Sequence, residues 1–261
     1  MALSWSEKRK VLYGSVAGVA ALLVLIWFGF SIISKPATCF DGARNQGEEG
    51  VDCGGPCARI CSVNTRNLVV EWQRVFLTGQ NTYTAIAYIQ NPNAALGAGA
   101  YNVPYAFRLY DASGVLIVEK DGAIDIPPQQ TIPLVEPIIN VGNRTVGQSD
   151  FAFSKSSIVW TKIPSASLPD VRIVGQQLSP DGSHLTAVIV NDGSDPIRSL
   201  AVAAVLYDAQ GNAQGASRSV IGPIPAGASQ RVDFTWNPGV PNVVQAALTP
   251  IFSLPPAPSA Q

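Results

Sequence analysis

Four cysteines, grouped in one short segment, are the residues of this chain with the clearest chemistry. Cys39, Cys53, Cys57 and Cys61 are the only cysteines among its 261 residues. Such a set can oxidise to two disulfides, or it can hold one zinc ion through four thiolates. Successive cysteines from Cys53 onwards follow CxxxC spacing rather than the CxxC of zinc knuckles, which favours disulfides. Four cysteines allow three pairings, and the spacing does not choose among them.

Oxygen-bearing side chains recur between these cysteines. They are Asp41, Asn45, Glu48 and Asp52. Calcium takes six to eight oxygen ligands, so a loop fixed by disulfides could wrap these side chains around the ion. Asp-Gly and Asn are also common turn formers, which explains the same residues without a metal. The spacing differs from that of an EF-hand loop, and calcium is the one cofactor that the sequence suggests.

The sequence lacks the residue patterns of common enzymes. It contains no GxSxG, no HExxH and no glycine-rich phosphate loop. His184, the only histidine, follows the turn sequence Ser179 to Gly182, where we expect it to be solvated. Asp111 and Asp208 are expected in turns, and the chain is predicted not to be an enzyme. Three tryptophans in apolar strand candidates are expected to pack in cores: Trp72, Trp160 and Trp236.

The cysteine segment resembles a short motif of bacterial surface proteins, C-x-D-G-x-x-N-x-x-E-x-x-x-D-C-G-G-x-C. The chain reads CFDGARNQGEEGVDCGGPCARIC from Cys39 to Cys61 and matches every fixed position of that motif. It departs at the last cysteine, where three residues intervene after Cys57 instead of the expected two. The resemblance implies a surface protein and does not indicate what the segment binds.

A run from Val11 to Ile33 contains no charged residue and predicts a transmembrane helix. At 1.5 Å per residue it spans about 34 Å, enough to cross a hydrocarbon core of about 30 Å. The run is longer than a signal-peptide core and ends in bulky residues, which favours an uncleaved anchor. Because Lys8, Arg9 and Lys10 precede it, the positive-inside rule predicts a cytoplasmic N-terminus and extracytoplasmic domains after the helix.

Within this run, Gly14 and Gly18 form a GxxxG pair. Such spacing lets two helices approach closely in lipid, so a homodimer through this face is one possible assembly. Glycine is also common in membrane helices in general.

An internal repeat fills the region after the cysteines. Its two copies lie about 100 residues apart, and each is about 95 residues long, the size of an immunoglobulin-like sandwich. FRLYDASG at 107–114 aligns with AVLYDAQG at 204–211, YTAIAYIQNPN at 83–93 with LTAVIVNDGS at 185–194, and IPP at 126–128 with IPA at 224–226.

Each copy has the pattern of short strands joined by tight turns. Leu109 and Leu206 are predicted to be equivalent core residues, with the tyrosine after each on the opposite face. The pattern FxLYD, intact at 107–111, resembles the FxLYD-type immunoglobulin-like domains of bacterial envelope proteins. The second copy has Ala204 in place of the aromatic residue, and Trp236 is a candidate to fill the space. The resemblance implies a fold and carries no catalytic chemistry.

The predicted fold class is therefore all-β, with two tandem sandwiches, one transmembrane helix and a disulfide-rich module. The predicted segments are 1–10 (cytoplasmic), 11–33 (helix), 34–62 (cysteine module), 63–164 and 165–252 (sandwiches) and 253–261 (disordered tail). The short linker between Pro164 and Pro169 suggests a semi-rigid rod with two separate cores.

Composition limits the partners that we expect. Only 13% of the residues are charged, the net charge is −1 and no basic patch exists, so nucleic acid is a poor candidate. The expected partners are the membrane and other envelope proteins. The chain is predicted to be a single-pass binding or scaffold protein of the bacterial envelope. The alternatives are a structural subunit of a secretion or pilus assembly and, more remotely, a hydrolase.

Overall fold

A computed structural model of the protein describes residues 5–33, 38–154 and 158–256. Helix α1 covers Trp5–Ile33 and begins earlier than the predicted apolar run. Its segment from Arg9 to Gly29 has a mean hydropathy of 2.3, and none of that segment is buried against the rest of the chain. One N-terminal helix is thus long and apolar enough to cross a bilayer, and it leaves its apolar surface to its surroundings.

The first sandwich consists of two sheets that enclose one core. One sheet has the order β1-β2-β5, and the other has the order β4-β3-β6 with the short β7 also paired to β3. All pairings within them are antiparallel. The strands are β1 (Val69–Gly79), β2 (Thr82–Gln90), β3 (Ala98–Tyr110), β4 (Leu116–Ile126), β5 (Thr131–Asn140), β6 (Gln148–Phe153) and β7 (Thr161–Lys162).

The second sandwich repeats this plan. Its sheets have the orders β8-β9-β12 and β11-β10-β13, again with antiparallel pairing. The strands are β8 (Val171–Leu178), β9 (His184–Asn191), β10 (Leu200–Asp208), β11 (Ala213–Ile221), β12 (Ser229–Thr235) and β13 (Val243–Ile251). Short 3-10 turns lie at Ser62–Asn64, Ala94–Leu96 and Ser165–Ser167.

Alternation along the repeated strand produces each core. Leu109 on β3 and Leu206 on β10 are both fully buried, each in the core of its own sandwich. Tyr110 and Tyr207 follow them on the opposite face and are half-buried. The prediction that the two leucines are equivalent core residues is confirmed.

A buried asparagine marks the equivalence of the two copies. Asn91 at the end of β2 donates from Nδ2 to the carbonyl oxygen of Pro127 at 3.1 Å. Asn191 at the end of β9 donates from Nδ2 to the carbonyl oxygen of Pro225 at 3.2 Å. Both prolines belong to the repeated IPP and IPA segments. Each asparagine therefore ties the end of a strand to the same turn of its own copy.

The two sandwiches stack face to face. Sheet β1-β2-β5 of the first packs against sheet β11-β10-β13 of the second, so four sheets form successive layers. Each sandwich has its own core, as predicted, but the two do not follow each other as a rod, because a third apolar cluster fills the space between the inner sheets. We call this cluster the interface cluster; its buried members are Ile86, Val135, Ala203, Val205, Ala213 and Ala216.

The last described residues run beside the first sandwich. Leu254 is half-buried, and its side chain lies next to Gly99 of β3. The predicted disordered tail begins at Ser253; the structure describes it as far as Pro256, and 257–261 lie outside the described residues.

Candidate functional site

The cysteine module has two overlapping disulfides. Cys39 pairs with Cys57, and Cys53 pairs with Cys61, which selects one of the three possible connectivities. No cysteine is free. Because all four sulfurs are oxidised, they do not offer the thiolates that a Cys₄ zinc site needs, and the zinc alternative does not apply to this structure.

The module is bound to the first sandwich by backbone pairing. Ile60 donates its backbone N–H to the carbonyl of Trp160 at 2.9 Å, and Lys162 donates to the carbonyl of Ala58 at 2.7 Å. Arg59 forms a bridge with Thr161 on β7, which itself pairs with β3. The disulfide from Cys53 to Cys61 therefore closes a loop whose last residues extend the sandwich by one short strand.

The predicted oxygen residues meet in one hydrogen-bond network, but they face backbone donors. Asp41 accepts from Thr38 N at 3.1 Å, from Ala43 N at 2.9 Å and from Asn45 Nδ2 at 2.7 Å. Asp52 accepts from Gly42 N at 3.0 Å. The Asn45 side chain above all, and then these backbone donors, lower the pKa of Asp41 below its usual range. Asp41 thus caps the turn that follows it, and Asp52 ties the loop back to Gly42, ten residues earlier.

Glu48 is the buried member of the network, with 4% of its surface exposed. Its Oε2 accepts from the backbone of Asp52 at 3.2 Å and of Asn45 at 3.4 Å. Its Oε1 lies 3.1 Å from Cys57 Sγ, a contact rather than a donated hydrogen bond because a disulfide sulfur carries no hydrogen. Asn45 Oδ1 is buried and has no partner among the described residues. This oxygen is the group best placed for a cation, and calcium stays a prediction.

His184 is the exposed first residue of β9 and follows a turn that contains a serine and an aspartate. Ser183 Oγ lies 2.7 Å from His184 Nδ1 and donates to Asp181 Oδ1 at 2.8 Å. In a catalytic triad the histidine lies between the serine and the acid, whereas here the serine lies between the other two. Hydrogen bonds from Ser179, the largest effect, and from Ser183 lower the pKa of Asp181 to about 2. The arrangement is that of a turn in which the carboxylate collects donors.

Two of the three tryptophans lie in sandwich cores. Trp160 is in the first core and Trp236 in the second, where it stacks with Phe234 at a centroid distance of 6.4 Å. The prediction that Trp72 packs in a sandwich core is wrong, because Trp72 packs against the interface cluster instead. It stacks on Tyr88 at 5.0 Å with an angle of 9° between the rings.

Polar contacts cross the seam between the sandwiches as well. Arg74 donates to the carbonyl of Ala213 at 2.9 Å, and Gln129 donates to the carbonyl of Pro250 at 3.1 Å. Burial, and next the neighbouring Tyr88, raise the pKa of Tyr207 to about 12. The seam therefore combines an apolar centre with hydrogen bonds at its margin, as a stable interface does.

The two glycines of the predicted helix-packing motif are open to the surroundings of α1. Apart from the adjacent residues and the nearby backbone of α1 itself, no described atom lies within 4 Å of where a Cβ on Gly14 or Gly18 would stand. Helix pairing through this face stays a prediction.

Comparison with known proteins gives no family for this chain. No family model matches it, and no curated protein matches it. Among solved structures, it is similar to a putative beta-galactosidase from Bacteroides fragilis, with 10% identity and a TM-score of 0.19. The similarity covers 66% of this chain and 33% of that protein, so the chain spans a third of its length.

Proposed function

We propose that this protein is a single-pass, membrane-anchored protein of the bacterial envelope that holds two stacked FxLYD-type sandwiches outside the cytoplasm for binding or scaffolding. The observation that carries this proposal is the unburied apolar helix α1, followed within a few residues by a module with two disulfides. Disulfides persist in oxidising compartments, which agrees with a module on the extracytoplasmic side. The charges at positions 8–10 support the same orientation.

A scaffold or binding role is favoured over catalysis by the chemistry of the described side chains. The one Ser-His-Asp group has the serine between the other two residues, and Asp41 and Asp52 of the module accept from backbone N–H groups. The outer sheets carry charged pairs, Arg108 with Glu119 on one side and Arg172 with Asp192 on the other, which suit contact with a partner in water. A hydrolase is the remote alternative.

Protease protection in spheroplasts tests the orientation. A tag at the N-terminus should survive protease added outside, and a tag at the C-terminus should be digested. A matched control replaces Lys8, Arg9 and Lys10 with Gln, which should increase the fraction of chains in the opposite orientation. Protection of the C-terminal tag in the unmodified chain would contradict the proposal.

Crosslinking of intact membranes tests the role. A set of partners captured in varying amounts fits a binding protein. A single complex of fixed stoichiometry would instead favour the second candidate, a structural subunit of a secretion or pilus assembly. Recovery of the chain with no crosslinked partner would contradict both roles.

A further inference from the structure

A cleft of about 420 Å³ opens at one end of the seam between the two sandwiches. The β1–β2 hairpin and the end of β5 form one wall, and β11 with the segment after β12 forms the other. Clefts at the junction of two domains are common sites of ligand binding. We propose that this cleft binds an extended segment of a partner protein, in which an apolar side chain is followed closely by a carboxylate. The inference rests on the proposed extracytoplasmic binding role and names the site and the chemistry of the partner.

Ile138, on the first wall, is held in a conformation that needs an explanation. It has φ +59°, a left-handed backbone that β-branched residues rarely adopt, and its side chain is 80% exposed. It lies in a β-bulge, because Pro137 and Ile138 together face Thr84 on β2. Bulges re-aim side chains and are enriched next to binding sites. The bulge thus places an apolar side chain in solvent at the mouth of the cleft, at a cost to stability.

Phe76 adds a second apolar group to the same wall. It lies on β1, packs against the interface cluster and lines the cleft together with Ile138. Leu77, the next residue, pairs with Tyr83 of the first core, so its side chain lies on the other face of the sheet. An aromatic and an aliphatic side chain on one wall of a cleft favour contact with an apolar side chain of a partner.

Among the residues that the structure describes, Arg218 on β11 is the only charged one that lines the cleft. Within the described ranges its guanidinium takes part in no ion pair and no side-chain hydrogen bond. An exposed guanidinium with its donors unused matches a carboxylate, which it can bind through two parallel hydrogen bonds. The charge of the cleft therefore selects an acidic partner over a basic one.

The backbone of β11 indicates that the partner is an extended chain. β11 is an edge strand of its sheet, and residues 214–218 line the cleft. The carbonyl of Ala216 points to the edge that pairs with no other strand, and there it already accepts from Trp236 Nε1 at 3.4 Å. Because backbone directions alternate along a strand, the N–H and C=O of Arg218 face the same edge, beyond the position that Trp236 occupies. A peptide can add to such an edge as a further strand while its carboxylate meets the Arg218 side chain.

The test uses the full chain in nanodiscs of a zwitterionic lipid, panned against a displayed library of random 12-residue peptides. Selected peptides should carry Asp or Glu within two residues of Leu, Ile or Phe. Arg218→Glu should weaken binding of the best synthetic peptide at least about tenfold, because a like charge then faces its carboxylate. Arg218→Lys should retain part of the affinity. The matched control, Arg231→Glu on the outer face of the second sandwich, should leave the affinity unchanged.

Ile138→Asn separates a binding role from a structural one. Asn tolerates positive φ better than Ile and removes an exposed apolar group, so this variant should melt at a higher temperature than the parent and yet bind the peptide more weakly. Failure to select any peptide, or equal binding to Arg218→Glu, would overturn the proposal. So would self-association of the chain that Arg218→Glu abolishes, since the occupant would then be a second copy. A partner crosslinked in cells at another surface would leave the binding role intact and remove only this site.

Discussion

Arg108 and Val205 occupy the same position of the repeated strand, and their side chains have opposite surroundings. Arg108 on β3 is partly exposed and pairs with Glu119 at 2.8 Å and with Asp150 at 3.7 Å. Val205 on β10 is 1% exposed and belongs to the interface cluster. The sheet that contains Arg108 is therefore a charged outer sheet of the stack, whereas the equivalent sheet that contains Val205 is one of its apolar inner sheets.

The stack joins different faces of the two copies. The first copy contributes the sheet that contains β2, and the second contributes the sheet that contains β10, the counterpart of β3. Contacts between unlike faces can repeat without end unless one face is blocked. On the first sandwich the equivalent face is exposed and carries the ion pairs of Arg108. Burying these charges would cost free energy, which disfavours addition of a further sandwich there.

Val205→Arg should disrupt the stack. The new guanidinium would lie in an apolar cluster without a partner, so the free energy of unfolding should fall by at least about 2 kcal/mol. Urea unfolding of the full chain in detergent, followed by tryptophan fluorescence, measures this change. Arg108→Val is the matched control at the equivalent exposed position, where losing a surface ion pair should cost less than about 1 kcal/mol. Equal stability of the two variants would mean that the seam contributes nothing.

Local patterns in the sequence were enough to predict an all-β fold, the repeated strand and turn, and a separate core for each sandwich. They did not predict the stack, because alternation identifies one buried face and leaves the other to solvent. A signal was nonetheless present. The segment Tyr83 to Ala87 has five consecutive buried residues, and Val202 to Leu206 has another five. Strands covered on both faces appear as nearly continuous apolar runs, and these two runs are the centres of the inner sheets.

The disulfide module shows a different limit of sequence-based prediction. The spacing of its cysteines predicted disulfides correctly but left three pairings, because connectivity depends on how the loop folds back. The oxygen residues were correctly placed in one loop. The composition of that loop could not show that Asp41 and Asp52 point at backbone N–H groups, since acids that cap turns and acids that bind calcium occur in the same kind of loop.

Acid should remove the contribution of Asp181 to stability. Its folded-state pKa is about 2, below the ordinary 3.8, so the folded state favours the ionised carboxylate. The stabilisation is therefore complete above about pH 5 and is lost as pH falls through the folded pKa. The melting temperature of Asp181→Asn should lie below that of the parent at pH 6, and the difference should shrink as pH falls towards and below about 2. Asp121→Asn, which removes an exposed carboxylate, serves as the control; a parent–variant difference at Asp181 that did not change with pH would contradict the mechanism.

Asp41→Ala and Asp52→Ala should loosen the cysteine module in the absence of calcium. Each change removes acceptors from backbone N–H groups, namely those of Thr38 and Ala43 or that of Gly42. The rate at which a mild thiol reduces the disulfides, measured in a chelator, should rise in both variants. If the variants and the parent were reduced at the same rate in chelator, and the variants were reduced faster than the parent only in calcium, the carboxylates would act mainly as calcium ligands. Asp121→Ala in the first sandwich should leave the rate unchanged.

Leu109→Ala and Leu206→Ala should each destabilise their own sandwich by roughly 2–5 kcal/mol, because both side chains are fully buried. The interface cluster adds a second effect. Once the first sandwich has unfolded, the second has lost the cover of Val205, so its own transition should also move to lower temperature. Calorimetry of the full chain in detergent should show this for Leu109→Ala, and adding Val205→Arg should remove the coupling. If Leu109→Ala left the second transition in place in the otherwise unmodified chain, the two cores would be energetically independent despite their contact.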